Sequence, residues 1–387
     1  MIHNSIQIFS GGFSTNAVSF EHVREKLTAA LSRFPVHKVL MGWSTEGKAG
    51  LASKELYLKT GEFLAKHNIE LYLWFPVFSE TTTIRLLHAL IDLDGVPVHH
   101  KNTSSNENFS FCCPNNPDNI EMILDIFDKE FSSIPFKGIF LDKIRYPSFA
   151  QDTVFSCFCP YCQRKYKDNN FDVELLKKSL SISRQTPLGI TAYHGSGRYD
   201  FEDPVIKRFF SLKSSFIFES LNYITGYFKS KNLDIGLDVF APFLSPFVGQ
   251  DLPALSGLCS FIKPMMYRIT NAPAGLPFET ESLLRETGYA ENAKRLAFEK
   301  VLGINSKEIP FSLGFASTEL KNFAASSGCP VYAGIEINKK EIAETDPGYI
   351  EETIKSFLDT GIKGLALSWD LLDVPVENLD AVGRLFR

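Results

Sequence analysis

The chain has 387 residues, 44% of them hydrophobic and 22% charged, with a formal net charge of −5. That length fits two domains or one elaborated barrel. The mildly acidic balance, with no run of basic residues, gives no footprint for nucleic acid or an anionic membrane surface.

At the N-terminus, Met1-Ile-His-Asn-Ser-Ile-Gln-Ile-Phe9 lacks a basic segment followed by an apolar one. A cytoplasmic protein is therefore expected, although a chain whose leader had been removed would read the same. No apolar stretch approaches the roughly 20 residues that span a bilayer. Further on, short β-rich runs alternate with stretches of helical period, which predicts βα units around a parallel sheet. Eight strands are predicted over His37–Ser44, Ile69–Phe78, Phe109–Cys113, Gly138–Pro147, Asp234–Phe243, Ser260–Arg268, Pro330–Asn338 and Gly364–Leu372. A further strand, Ile6–Ser10, could pair at the N-terminus or cap the barrel floor.

Helices are predicted over Ser53–His67, Pro117–Ser132, Pro204–Ser230, Thr280–Val301, Pro347–Thr360 and Val376–Phe386. Pro117, Pro204 and Pro347 each follow an Asn or Asp, as at a helix start. Only Thr82–Leu90 is available as a helix after the second predicted strand. A long insertion, about 148–232, separates the fourth and fifth strands and carries helices plus the loop Ala192-Tyr-His-Gly-Ser-Gly-Arg-Tyr199. With no repeat, low-complexity tract or linker, the expectation is a single (β/α)8 TIM barrel over residues 1–387.

In such barrels the site lies at the C-terminal ends of the strands. The fourth strand runs Gly138-Ile-Phe-Leu-Asp142-Lys-Ile-Arg145-Tyr-Pro147, placing Asp142 at the tip of an apolar run. Arg145 could pair with Asp142 or with substrate hydroxyls. Asp238, within an apolar fifth strand, must be paired or put to use, because an isolated buried charge is costly. The seventh strand offers Glu336 by the same reasoning, and the eighth offers Trp369 and Asp370. The chain has three Trp, and Trp43, Trp74 and Trp369 all fall near predicted strand ends, with Tyr267 matching them on the sixth. Flat apolar rings at one face suit the C–H faces of sugar rings. His194, in the Gly-rich loop, is a candidate for a substrate hydroxyl.

These motifs resemble a glycoside-hydrolase-like barrel family. The resemblance rests on Asp142-Lys-Ile-Arg-Tyr-Pro147, on the Asp238-Val-Phe-Ala segment with its Gly249-Gln-Asp251 turn, and on Lys263-Pro-Met-Met-Tyr267. It covers about Phe109 to Arg268 and extends loosely to the eighth strand. It implies a TIM barrel acting on an oligo- or polysaccharide, with Asp142 at the family's acidic strand-four position, and names no particular sugar. Glycoside hydrolysis needs two carboxylates flanking the scissile bond, so Glu336 and Asp238 compete for the place beside Asp142. No catalytic cofactor is required.

Cys157-Phe-Cys159-Pro-Tyr-Cys162 brings three thiols together just after the Asp142 strand, with Cys112 or Cys113 able to supply a fourth ligand. One structural zinc is one reading. Free thiols, or a disulfide with a spare, are the others, and seven cysteines suit a reducing compartment. Two further function classes stand beside the glycosidase. One is a non-catalytic glycan-binding barrel in which Asp142 and Arg145 form a structural pair. The other is a metal-dependent barrel lyase or hydrolase, for which eight His with none at a strand tip is a poor complement.

Overall fold

Apolar runs too short for helices, each followed by a stretch of helical period, have one stable closed arrangement: parallel strands inside, helices outside. The computed structural model describes residues 2–9, 18–42, 54–79, 88–98, 110–151, 154–290 and 293–386. In chain order the barrel strands are His3–Phe9, Lys38–Gly42, Glu70–Pro76, Gly138–Asp142, Asp234–Phe240, Phe261–Met265, Tyr332–Glu336 and Gly364–Ser368. They form one closed barrel, the first strand pairing with both the second and the eighth. The expected fold class is the observed one.

Two strand assignments change. His3–Phe9, expected near Ile6–Ser10 as an extra strand, is the first full member of the barrel. Of its polar residues only His3 is exposed; Asn4, Ser5 and Gln7 are buried, and Gln7 reaches Lys263 across the interior. Phe109–Cys113, expected as the third strand, is not a barrel strand. Phe111 and Cys112 make only isolated antiparallel bridges to Ser79 and Ala89, and Phe111 packs on Arg145 instead.

The Pro starts hold. Asn116, Asp203 and Asp346 cap the helices Pro117–Ile126, Pro204–Ser230 and Pro347–Leu358 through their side chains, satisfying N–H groups that have no partner within the helix. The run Thr280–Val301 is two helices, Leu276–Glu286 and Ala293–Leu302, parted near Gly288 at φ 77°. The helices Phe20–Leu31 and Leu313–Ser326, capped by the side chains of Ser19 and Ser312, lie outside the predicted set. The proposed helix Thr82–Leu90 falls largely on residues 80–87, outside the described residues. Among the described residues, no helix is long and apolar enough to cross a membrane. The segment after strand four holds helices Pro160–Asp168 and Val173–Leu180 and a hairpin of Ile190–Tyr193 with Tyr199–Phe201. The helix Pro204–Ser230, about 40 Å long at 1.5 Å per residue, then returns the chain to strand five.

The barrel interior is layered. Leu40 and five aromatic residues, Tyr72, Trp74, Phe140, Phe261 and Tyr332, form an apolar plug distinct from the core between strands and helices. The Phe140 and Phe261 rings stack at 5.8 Å. One step nearer the strand C-termini the filling turns polar, with Gln7, Asp238, Lys263, Tyr267 and Ser368 all buried. Gly334 makes room for this layer, since a Cβ there would lie 2.4 Å from Lys263 Cε.

Candidate active site

Asp142 ends strand four and is half-buried. Its Oδ2 accepts a hydrogen bond from Trp74 Nε1 at 3.1 Å, and its Oδ1 accepts from the Lys143 backbone N–H at 2.5 Å. The chain turns immediately after it, with Lys143 at φ 51°, a left-handed conformation that costs an L-residue about 1–2 kcal/mol. Surrounding bonds hold that turn: Val77 N–H donates to the Asp142 carbonyl at 2.9 Å, and Tyr146 N–H donates to the Val248 carbonyl at 2.9 Å. The Gly249-Gln-Asp251 turn braces the same loop. Gln250 Oε1 accepts from Phe240 N–H at 2.9 Å, while its Nε2 donates to the Ile144 carbonyl at 3.3 Å.

Asp238 lies on the neighbouring fifth strand and is 3% exposed. Lys263 Nζ donates to its Oδ2 at 3.0 Å, to Tyr267 Oη at 2.6 Å and to Gln7 Oε1 at 3.2 Å. Tyr267 Oη donates in turn to Ser368 Oγ at 3.0 Å. Burial pushes the Asp238 carboxyl up to about 7; Lys263 pulls it down and the charge of Asp142 pushes it up again. Its second oxygen, Oδ1, has no hydrogen-bond partner among the described residues.

Glu336 ends strand seven but turns to a structural task. Its Oε1 accepts from Ile269 N–H at 2.8 Å and from Thr270 Oγ1 at 3.4 Å, so it pins the loop after strand six. The Tyr349 hydroxyl lies beside Oε2 without closing a hydrogen bond. Burial raises its carboxyl, and the Ile269 N–H works against that.

Of the two partners open to Arg145, Asp142 is not one it contacts among the described residues. The Arg145 guanidinium sits 4.7 Å from the Phe111 ring centroid and 4.5 Å from that of Phe240, and donates to the Tyr146 carbonyl at 3.0 Å. Its strongest electrostatic support is Glu279, ahead of Asp142, and burial still lowers it to about 10. The guanidinium is flat and weakly hydrated, so it stacks between rings where an ammonium would not.

The remaining candidates divide. Tyr267 and Trp369 meet edge to face at 5.9 Å, beside the polar layer. Trp74 is buried and spends its N–H on Asp142. Trp43 lies outside the described residues. Asp370 is buried, caps the short turn Leu371–Asp373 through Leu372 N–H and is held by Asn338. His194 is exposed and hydrogen-bonded to Asp200 Oδ2 at 2.7 Å. It lines a groove between the hairpin and the helix Pro204–Ser230, a groove whose lining includes neither Asp142 nor Asp238. Sequence reasoning missed Lys263, Gln7, Ser368 and Glu279 as site residues. Lys263 had a usable signal, being a charge inside the apolar run Phe261–Met265.

The cysteine triplet gathers its fourth member from the segment before the helix Pro117–Ile126. Cys113, Cys157, Cys159 and Cys162 are all buried, their sulfurs within 4.8 Å of one another. Cys112, the other candidate, is buried but is not part of this group. Successive residues of an extended chain point to opposite sides, so only one of the adjacent pair can face the triplet.

No family model matches the chain, and no curated protein matches it in sequence. Solved structures do match in fold. The PgaB (BpsB) glycoside hydrolase domain from Bordetella bronchiseptica aligns at 10% identity and TM-score 0.61, covering 100% of this chain and 99% of that one. The catalytic domain of β-amylase from Paenibacillus polymyxa aligns at 10% identity and TM-score 0.56, covering 99% and 98%. α-L-Fucosidase isoenzyme 2 from Paenibacillus thiaminolyticus aligns at 10% identity and TM-score 0.53, covering 100% of this chain and 49% of that one. The chain is therefore a (β/α)8 barrel whose structural neighbours are glycoside-hydrolase domains. At 10% identity the likeness is one of fold, and function must be argued from the site.

Proposed function

We propose that this barrel is a glycosidase that cleaves an oligo- or polysaccharide at its C-terminal mouth, with Asp142 and Asp238 as its two carboxylates. The observation carrying this reading is the Asp142–Asp238 relationship. The two sit on neighbouring strands and feel each other's charge, yet have opposite surroundings. Asp142 is half-exposed and receives two N–H donors, an environment suited to a base or nucleophile. Asp238 is held near 7 by burial, so it retains a proton near neutrality, as a general acid must. In glycoside hydrolysis the acid protonates the leaving oxygen while the other carboxylate attacks the anomeric carbon or activates water. Glu336 is the weaker second carboxylate, because one of its oxygens is committed to Ile269 and Thr270. Trp369, partly exposed and held edge to face on the buried Tyr267 ring, supplies apolar surface for a sugar ring.

The test compares wild type with Asp142→Asn on a panel of aryl glycosides and oligosaccharides, with products followed by mass spectrometry. Cleavage that collapses in a folded variant supports the proposal. Equal cleavage by both removes Asp142 from the chemistry. Glycan binding by both without cleavage favours a non-catalytic sugar-binding barrel, a reading that the closed Asp238–Lys263 pair also accommodates.

A further inference from the structure

We infer that Cys113, Cys157, Cys159 and Cys162 bind one zinc ion as a structural tetrathiolate centre that braces the Asp142 loop, with Lys213 as its buried counter-charge. The first support is distance. Four thiolates bonded at 2.3 Å to one tetrahedral ion lie about 3.8 Å apart. Here Cys113 Sγ is 3.4 Å from Cys162 Sγ and 3.5 Å from Cys159 Sγ, and the whole group lies within 4.8 Å. An iron–sulfur cluster places several metal atoms between its cysteines and needs them farther apart, so the spacing fits a single ion. A disulfide would need a pair near 2.05 Å, and all seven cysteines are free.

The second support is the surrounding hydrogen bonding. Ile91 N–H donates to Cys157 Sγ at 3.3 Å, Cys159 N–H donates to the same sulfur at 3.5 Å, and Asn115 Nδ2 donates to Cys162 Sγ at 3.2 Å. Such donors spread the charge of metal-bound thiolates and orient them.

The third support comes from a residue outside the cluster. Lys213 is fully buried in the long helix Pro204–Ser230. Its Nζ donates to the Val154 carbonyl at 2.5 Å and the Phe247 carbonyl at 3.4 Å, and it lies 4.6 Å from the Tyr146 ring centroid. Among the described residues no carboxylate pairs with it. Burial pushes the Lys213 amine well below its ordinary value, and the groups that oppose this are the sulfurs of Cys157 and Cys162; a buried cation is tolerated only beside a counter-charge. A zinc tetrathiolate carries a net charge of minus two, which supplies that counter-charge. Its shell is full and leaves no position for a reactive water, so its task is mechanical. It ties the segment before the helix Pro117–Ile126 to the loop following Asp142.

The experiment is metal analysis of the full chain, purified without chelator and desalted, with cobalt exchange as a second readout. About one zinc per chain is expected, and cobalt should give the intense thiolate-to-metal charge-transfer band of a tetrahedral sulfur site. Cys162→Ser should lose the metal, whereas Cys259→Ser and Cys112→Ser should keep it. Should Cys162→Ser fail to fold, the wild-type stoichiometry and cobalt spectrum decide alone. Lys213→Met should release zinc to a chromogenic chelator 10–100-fold faster, the usual effect of losing an outer-shell partner. Metal-free protein with titratable thiols at all four positions, a disulfide within the group, or iron in place of zinc would each overturn the assignment. An unchanged release rate in Lys213→Met would remove Lys213 from it.

Discussion

Asp238 and Lys263 face each other on neighbouring strands five and six, Oδ2 to Nζ 3.0 Å, with both side chains out of contact with water. The pair does not fully restore Asp238 to a carboxylate. Desolvation outweighs the attraction of Lys263, and the charge of Asp142 adds to the upward push, leaving the group near 7. An acid titrating there is useful at neutral pH, but it also ties stability to pH.

The sign follows from linkage. Asp238 titrates near 7 when folded and near 4 when unfolded, so folding favours its neutral form. That stabilisation is complete below about pH 4, shrinks as pH rises and is gone above about pH 7, a change on the order of a few kcal/mol. Urea melts at pH 5 and pH 8 should therefore show weaker resistance at pH 8. Asp238→Asn should flatten this part of the slope even if it lowers stability overall, because Lys263 loses its partner. An identical slope in wild type and variant would show that Asp238 does not titrate in this window. If Asp238 is the general acid, kcat/KM should also decline through about pH 7, where that proton is lost.

Trp74 gives a second prediction. Its Nε1–H reaches Asp142 Oδ2 at 3.1 Å, so its indole orients a carboxylate more than it presents a platform. Trp74→Phe keeps an aromatic body in the interior and removes the donor. Hydrogen bonds to charged groups are worth about 1.5–3 kcal/mol, so kcat/KM on any cleaved glycoside should fall roughly 10–100-fold. Substrate affinity should change less. A loss confined to KM, with kcat intact, would instead make Trp74 a sugar-binding surface.

Much of this site is legible from local pattern, and its limits are equally physical. Asp142 stands out because a carboxylate ends an apolar run, and the cysteine triplet because three thiols fall within six residues. Partners distant in sequence do not announce themselves. Gln7 reaches Lys263 from the other end of the chain, and its strand resembles a half-exposed edge because Gln7 turns its amide into the barrel while Asn4 bonds the Pro35 carbonyl. Phe109–Cys113 has strand composition, yet Phe111 and Cys112 pair only through isolated bridges. Arg145 beside Asp142 in sequence suggests an ion pair, but the loop turns the guanidinium between Phe111 and Phe240. A seventh-strand tip suggested Glu336 as a catalyst, and only the fold reveals the Ile269 N–H awaiting its Oε1.

Glu336 can be separated from Asp238 by paired substitutions. Glu336→Gln keeps an oxygen acceptor for Ile269 and Thr270, so it should preserve the fold and most of the activity. Glu336→Ala leaves the part-buried Ile269 N–H without its partner, which costs about 1 kcal/mol or more, and should lower the urea midpoint. The measurement is kcat beside a urea midpoint for each variant. A folded Glu336→Gln with activity reduced a thousandfold would transfer the second-carboxylate role from Asp238 to Glu336.

The brace beneath the Asp142 loop offers the last test. Gly249 adopts φ 78°, and a Cβ there would stand 3.0 Å from Tyr146 Cδ2 and 3.2 Å from Ile217 Cγ1. Gly249→Ala therefore carries the left-handed penalty of about 1–2 kcal/mol together with pressure on the Tyr146 ring. Tyr146 lies four residues from Asp142 and under the Lys213 Nζ, so the displacement should reach the site. The expected outcome is a lower urea midpoint together with reduced kcat. Gly226→Ala is the matched control: it sits within the helix Pro204–Ser230, and an added Cβ would meet nothing within 4 Å. That substitution should stabilise by about 0.5–1 kcal/mol through helix propensity and leave kcat unchanged. If Gly249→Ala loses stability but keeps full kcat, the Gly249-Gln-Asp251 turn supports the fold without governing the position of Asp142.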